Sequence, residues 1–411
     1  MGKNFERLGA LRFCMASKSN FLTNILNKAP FNGRLFIGDY CKQVKAVIDS
    51  LKIAKAKTCV KIVSREQDFL ALAKNLKDSL VKSGVLCESY VIEDVTLCVN
   101  LDFEGAALLI GVGDSDFLDG LLDQTKHLPT KKLAVCNYGV FAPLFCPDKC
   151  FLPVNGARVK LGLYDFVVFD VGLYKTLKKN QLADAFSFIA SKKLQLTELK
   201  LNGISACTDI KMVEGLVESA TGLINGITQE NFCGVSIVAQ LILAQAIYIE
   251  PNLHLSPSYF CAQTLSMLTG NTKEECLFAL SQPLLTAYGV YLSAGKVIFD
   301  APSICDDIDR LGEIHKIKSA KLIGYVDMGD IASINHARQN ACYKKEDIMR
   351  VQNSIIKYKL AYDKVYKGRK RRDAFDKKQL SLAIAQGGAL GYGLLKGMYD
   401  DGFLKALTKN L

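Results

Sequence analysis

An alternation in the first half of the chain constrains its fold more than any other feature. Short apolar runs stand at Leu35–Ile37, 59–63, 87–92, 106–110, 133–136 and Phe166–Phe169, with segments of helical spacing between most of them. Residues 41–51 place Val44, Val47, Ile48 and Leu51 on one helix face. Residues 68–81 read as a second helix, and Gly84 follows where a left-handed C-cap belongs. The run 106–110 (AALLI) has no polar residue, which is the signature of a strand buried on both faces. Strands alternating with helices imply a doubly wound, mostly parallel α/β sheet with helices on both sides.

After residue 177 the strand-like runs nearly vanish and helical periodicity takes over. Breaks fall at Asn202-Gly203, Gly226, Pro251-Asn252, Gly270-Asn271 and Gly324. The expected organisation is an N-terminal extension (1–30), a dinucleotide-binding α/β domain (31–178) and an all-α domain (179–411). A chain of 411 residues is too long for one ordinary core. The stretch 235–249 (VSIVAQLILAQAIYI) is very apolar, but it is short for a membrane span and Gln240 and Gln245 interrupt it. It reads as a buried core helix.

Charge and cysteine usage narrow the partners. The formal net charge of +11 favours anionic partners: nucleotides, phosphorylated metabolites, nucleic acid or an acidic membrane surface. The basic excess is spread along the chain, and its one dense run, Lys367–Arg372 (KGRKRR), reads as a solvated face. Neither a nucleic acid nor a membrane is expected as partner. The 14 Cys form no CxxC pair, and Arg7, Arg12 and Lys18 interrupt the opening segment. A reducing, cytoplasmic setting with thiols packed as small hydrophobes is expected.

The local signal for chemistry is the turn GVGDSDFLD (111–119), directly after the apolar run 106–110. Gly111 and Gly113 let the backbone turn tightly, and a following helix offers free amides and a dipole to a diphosphate. The spacing is not the G-x-G-x-x-G fingerprint, since Asp116 stands at the third position, and Asp114 and Asp116 add negative charge there. No G-x-S-x-G elbow is present, and nothing singles out a reactive cysteine.

Four stretches together resemble the superfamily of iron-dependent alcohol dehydrogenases, glycerol and glycerol-1-phosphate dehydrogenases and dehydroquinate synthases. They are LFIGD (35–39), residues 57–93, the turn 111–119 and FVVFDVGLYKTL (166–177). The resemblance implies NAD or NADP held by Gly111, Val112, Gly113, Asp114 and Asp119. Asn137 lies in the segment near the nicotinamide, where the family's Pro and Thr are missing. Ser64-Arg65 would face a 2′-phosphate. Lys160 stands where the synthases place a substrate-phosphate lysine. The resemblance also implies a divalent metal (Fe, Zn or Ni) held in the helical domain.

There the pattern is incomplete. The first ligand position falls on Ser187 or Phe188, with Asp184 the nearby carboxylate one turn early. The long apolar helix offers Ser236 and Gln240 where a His belongs. His254 matches a later ligand, but Ser256 replaces the acidic residue two positions on. His127, His315 and His336 stand alone. The expected function is an NAD(P)-dependent oxidoreductase of a polyol or glycerol-phosphate-type alcohol, with Lys160 and His254 catalytic and Asp184 and His254 at a degenerate metal site. The alternatives are a catalytically inactive nucleotide-binding or assembly subunit, and a dehydroquinate synthase-like lyase. The small-molecule substrate would be anionic or a polyol, and a homodimer is compatible with the resemblance.

Overall fold

The computed structural model describes residues 26–27, 30–52, 59–65, 69–136, 139–146, 150–151, 158–159, 163–202, 210–254, 256–293, 345–365, 379–380 and 383. The chain divides into two compact units, residues 1–150 with 159–182, and residues 151–158 with 183–411.

The first unit is built on a six-stranded parallel sheet in the order β1-β8-β5-β4-β2-β3. Its strands are β1 (Leu35–Ile37), β2 (Cys59–Arg65), β3 (Leu86–Ile92), β4 (Ala106–Val112), β5 (Lys131–Cys136) and β8 (Phe166–Phe169). A separate two-stranded ribbon pairs β6 (Cys150–Phe151) with β7 (Arg158–Val159). These two-residue strands are too short to carry a readable alternation, and the sequence gives no sign of them. The helices of the unit are α1 (Tyr40–Ser50), α2 (Leu70–Lys82), α3 (Ser115–Thr125) and the short α4 (Val171–Lys175).

Side-chain parity assigns the helices to faces. Val60, Ile62, Leu108, Ile110, Val112, Leu133, Val135 and Val168 point to one face and pack with Val44, Val47 and Ile48 of α1 and Ala73, Leu76 and Leu80 of α2. Gly111 points to the other face, against Leu118 and Leu121 of α3. The crossover β2–α2–β3 therefore winds along one face, and β4–α3–β5 along the opposite one. The winding direction reverses between the neighbouring strands β2 and β4.

One carboxylate closes the far side of the sheet. Asp170, directly after β8, accepts from the amides of Gly172 (2.7 Å) and Leu173 (3.3 Å) at the start of α4. It also accepts from the amide of Tyr40 (3.1 Å) at the start of α1. An acidic side chain at two helix N-termini satisfies orphan donors and both dipoles.

The second unit is helical where it is described: α5 (Lys179–Asn202, starting in the first unit), α6 (Ile210–Gly222), α7 (Phe232–Ile249), α8 (Pro257–Thr269), α9 (Lys273–Ser293) and α10 (Lys345–Val365). Sequence punctuation explains the ends. Pro257 occupies the first turn of α8, and Gly270 ends it in the left-handed conformation at φ 70°. Helix α7 is the one described helix long and apolar enough to cross a membrane, and 78% of it is buried. It contributes Phe232 to an aromatic cluster with Phe186, Phe278 and Tyr362.

Candidate functional site

In open parallel sheets, ligands bind outside the carboxyl ends of the strands where the winding reverses. Here that is the end of β2 and β4. Their register sets Val63 beside Gly111 and Ser64 beside Val112. The turn then leads into α3, which starts at Ser115. Asp114 sets that start, since its carboxylate caps the helix by accepting from Phe117 N at 2.8 Å. The same carboxylate binds Arg65 Nη1 at 2.7 Å, which offsets part of the negative charge expected to repel a phosphate.

The two glycines make room for the protein's own side chains. A Cβ at Gly111 would lie 2.7 Å from Leu118 Cδ2 and 2.8 Å from Leu121 Cδ2. A Cβ at Gly113 would lie 2.4 Å from Phe117 Cδ1. Their small size thus serves the close packing of α3 as well as the tight turn expected from the sequence. Val112 is buried, and Asp119 is half-buried within α3. Ser64, expected from the sequence to face a 2′-phosphate, lies in β2. It is fully buried at the end of β2, and its Oγ has no hydrogen-bond partner. Asn137 and Lys160, and the Asp116 side chain, lie outside the described residues.

The second unit holds a buried polar cluster centred on α5. Residues 183–199 of this helix are all buried, and they include Asp184, Ser187, Ser191, Lys192, Lys193, Gln195, Thr197 and Glu198. Charged residues are almost never this buried unless paired. Lys192 Nζ donates to Gln195 Oε1 and lies 3.3 Å from His254 Nδ1. It also sits 4.2 Å from the centroid of the Phe188 ring, within cation–π range. Gln195 Nε2 donates to His254 O (3.0 Å) and to Ser256 Oγ (3.2 Å). Ser256 Oγ lies 3.0 Å from Ser258 Oγ, which donates to Glu198 Oε2 at 2.6 Å. Tyr288 OH donates to Glu198 Oε1 at 2.5 Å. Ser258 N, in the first turn of α8, also donates to Glu198 (3.2 Å), so a carboxylate from α5 serves that helix N-terminus.

Burial dominates the electrostatics. It pushes the Glu198 carboxyl above its ordinary range, against the hydrogen bonds from Ser258 and Tyr288 that favour the charged form. The Tyr288 hydroxyl is held well above its usual value by burial and by Glu198. His254 is held well below 6.5 by burial, then by the nearby charges of Lys192 and Lys273. Its imidazole is neutral at neutral pH.

The expected metal ligands have other partners. Asp184 Oδ1 accepts from Thr272 Oγ1 at 2.6 Å. His254 faces Lys192, and its ring lies 4.6 Å from that of Tyr259. Ser236 and Gln240 are bonded to each other across one turn of α7 (3.3 Å). Ser187 Oγ is buried without a partner. Among the described residues, no three His, Cys, Asp or Glu side chains are grouped as a metal requires. The donor set near His254 is an ammonium, an amide and hydroxyls, which does not suit Fe, Zn or Ni. Of the other histidines, His127 is described and His315 and His336 are not.

No protein-family model matches the chain, and no curated protein matches it in sequence. Solved structures do match. An archaeal halo-thermophilic alcohol dehydrogenase from a Red Sea brine pool is 9% identical, with 92% of this chain and 97% of that one aligned at TM-score 0.60. A 1,3-propanediol oxidoreductase is 11% identical over 92% and 98% of the two chains, TM-score 0.59. An alcohol dehydrogenase from Oenococcus oeni is 16% identical over 92% and 98%, TM-score 0.57. The chain has the fold of these alcohol dehydrogenases. The resemblance read from 35–39, 57–93, 111–119 and 166–177 therefore holds at the level of fold, and the low identity fits a divergent chain.

Proposed function

We propose that this protein is an NAD(P)-dependent oxidoreductase acting on a small alcohol of the polyol or glycerol-phosphate type. One observation carries the reading: where the winding of the sheet reverses, the start of α3 and the Arg65–Asp114 pair come together. That combination offers amides and a cation to a diphosphate. NAD or NADP, when bound, would exchange a hydride with the substrate. In this reading Arg65 contacts phosphate, Asp114 fixes Arg65 and caps α3, and the packing of Leu118, Leu121 and Phe117 holds the turn in place. The fold shared with alcohol dehydrogenases supports the class of reaction, and the net charge of +11 suits an anionic substrate.

The test is a titration of the purified chain with NADH and NADPH, read by nucleotide fluorescence. Saturable binding is expected, weakened about tenfold or more by Arg65→Ala, as for loss of a charge-assisted contact. Absence of binding to both nucleotides would end the dehydrogenase reading. The second reading is a catalytically inactive nucleotide-binding subunit, favoured by the engagement of Asp184 with Thr272 and of His254 with Lys192. Nucleotide binding without turnover of any polyol or glycerol phosphate, with or without added metal, would select it.

A further inference from the structure

We infer that the helical unit is organised around the ammonium of Lys192, which serves as its resident cation where a divalent metal would otherwise be held. The inference stands whether or not the first unit binds a dinucleotide.

Donor counting supports it. A lysine ammonium has three N–H donors and no acceptor. Lys192 is fully buried and meets three electron-rich groups: Gln195 Oε1, His254 Nδ1 at 3.3 Å and the face of Phe188 at 4.2 Å. With the His254 hydrogen on Nε2, each is an acceptor and the charged form fits the site. The three acceptors are themselves held in place. Gln195 is fixed through its amide nitrogen on His254 O and Ser256 Oγ. His254 is flanked by the rings of Tyr259 and Phe188.

Sequence position sharpens the point. Phe188 is one of the two residues at the first expected ligand position, and it offers a π face, which holds an ammonium and does not ligate a transition metal. Its neighbour there, Ser187, is a neutral hydroxyl with no partner. His254 is the one clear ligand match, and its Nδ1 lies 3.3 Å from Lys192 Nζ. Lys273 adds a second positive charge nearby, with its Nζ 5.0 Å from the centroid of the Tyr259 ring. A dication placed on His254 would meet two like charges. Lys273 has Glu274 beside it at 3.9 Å, and the buried Glu198 is linked to Lys192 through Gln195, Ser256 and Ser258. That chain of hydrogen bonds links a buried cation to a buried carboxyl.

Two measurements on the full-length protein test this. First, the chain is dialysed, exposed to Zn2+, Ni2+ or anaerobic Fe2+, dialysed again, and examined by elemental analysis and thermal melting. No stoichiometric metal and an unchanged melting midpoint are expected, with or without chelator. Retention of one ion per chain that His254→Gln abolishes would overturn the inference. Second, 15N-histidine-labelled protein is examined by long-range 1H–15N correlation, with His254 assigned by its loss in His254→Gln. The neutral tautomer with hydrogen on Nε2 is expected, together with a Nδ1 resonance that moves in Lys192→Met while the other histidines stay in place. Hydrogen on Nδ1, an imidazolium at neutral pH, or an unmoved resonance in the variant would each overturn it. If Lys192→Met fails to fold, Lys192→Gln, which keeps a neutral donor, gives the same comparison, and the tautomer in the unaltered protein remains decisive.

Discussion

At the centre of the α/β unit, β4 buries Leu108, Leu109, Ile110 and Val112, and its neighbour β5 buries Leu133, Ala134 and Val135. At the centre of the helical unit, α5 buries Asp184, Lys192, Gln195 and Glu198. The sheet is held by apolar contacts that depend on shape and area. The helical cluster depends on its buried charged and amide groups keeping their partners, because an unpaired buried group of that kind is costly. The first kind of core fails when volume is changed. The second fails when a single donor is lost.

Perturbations of each kind should separate the two regions. The largest effect is expected in the close-packed unit. A Cβ at Gly139 would fall 2.0 Å from the carbonyl oxygen of Gln181, a backbone atom that cannot swing aside. Gly139→Ala is expected to cost about 3 kcal/mol or more in urea unfolding. A cost under about 1 kcal/mol would mean this approach is not tight in solution.

Next is Tyr288→Phe, which changes shape little but removes the donor to Glu198 Oε1. A loss of about 2 kcal/mol is expected. A neutral result would show that the helical cluster tolerates a missing partner and would erase the contrast. Gly113→Ala should cost about 1–2 kcal/mol, because the ring of Phe117 can give way where a backbone atom cannot. Nucleotide affinity in that variant would show whether the packing of α3 matters for binding.

The smallest effect is a pH dependence. The folded-state pKa of His254 is depressed below 6.5, so as pH falls the unfolded chain takes up this proton before the folded one does. The contribution is complete above about pH 6.5 and is lost as pH falls towards the depressed value. Between about pH 6.5 and 5.5 the unaltered protein should lose about 1 kcal/mol more than His254→Gln, measured from paired denaturation curves. Equal losses would mean that His254 titrates normally and that neither burial nor Lys192 and Lys273 restrain it.

The sheet was legible because its strands have apolar residues on both faces, so runs such as 106–110 admit few other readings. Helix ends at Asn202 and Gly270 were legible for the same kind of local reason. The polar cluster was not. Lys192 in a helix reads as a solvent-facing residue, and only contacts from residues 254–258 reveal otherwise. A signal was present nonetheless. Asp184, Phe188, Lys192, Gln195 and Glu198 follow one another at spacings of four, four, three and three, which puts them on one face. With Ala183, Phe186, Ile189, Ala190 and Leu194 filling the remainder, no side of this helix is left clearly for solvent. His254 was noticed as a metal ligand because the family pattern has one there. The chemistry of its surroundings is set by residues distant in sequence, which spacing cannot convey.

Asp170 has a mechanical corollary. Through one side chain the tail of β8, the first turn of α1 and the first turn of α4 are riveted at a common point. None of these three can shift without dragging the other two, so small displacements at this edge of the sheet are shared among chain segments some 130 residues apart.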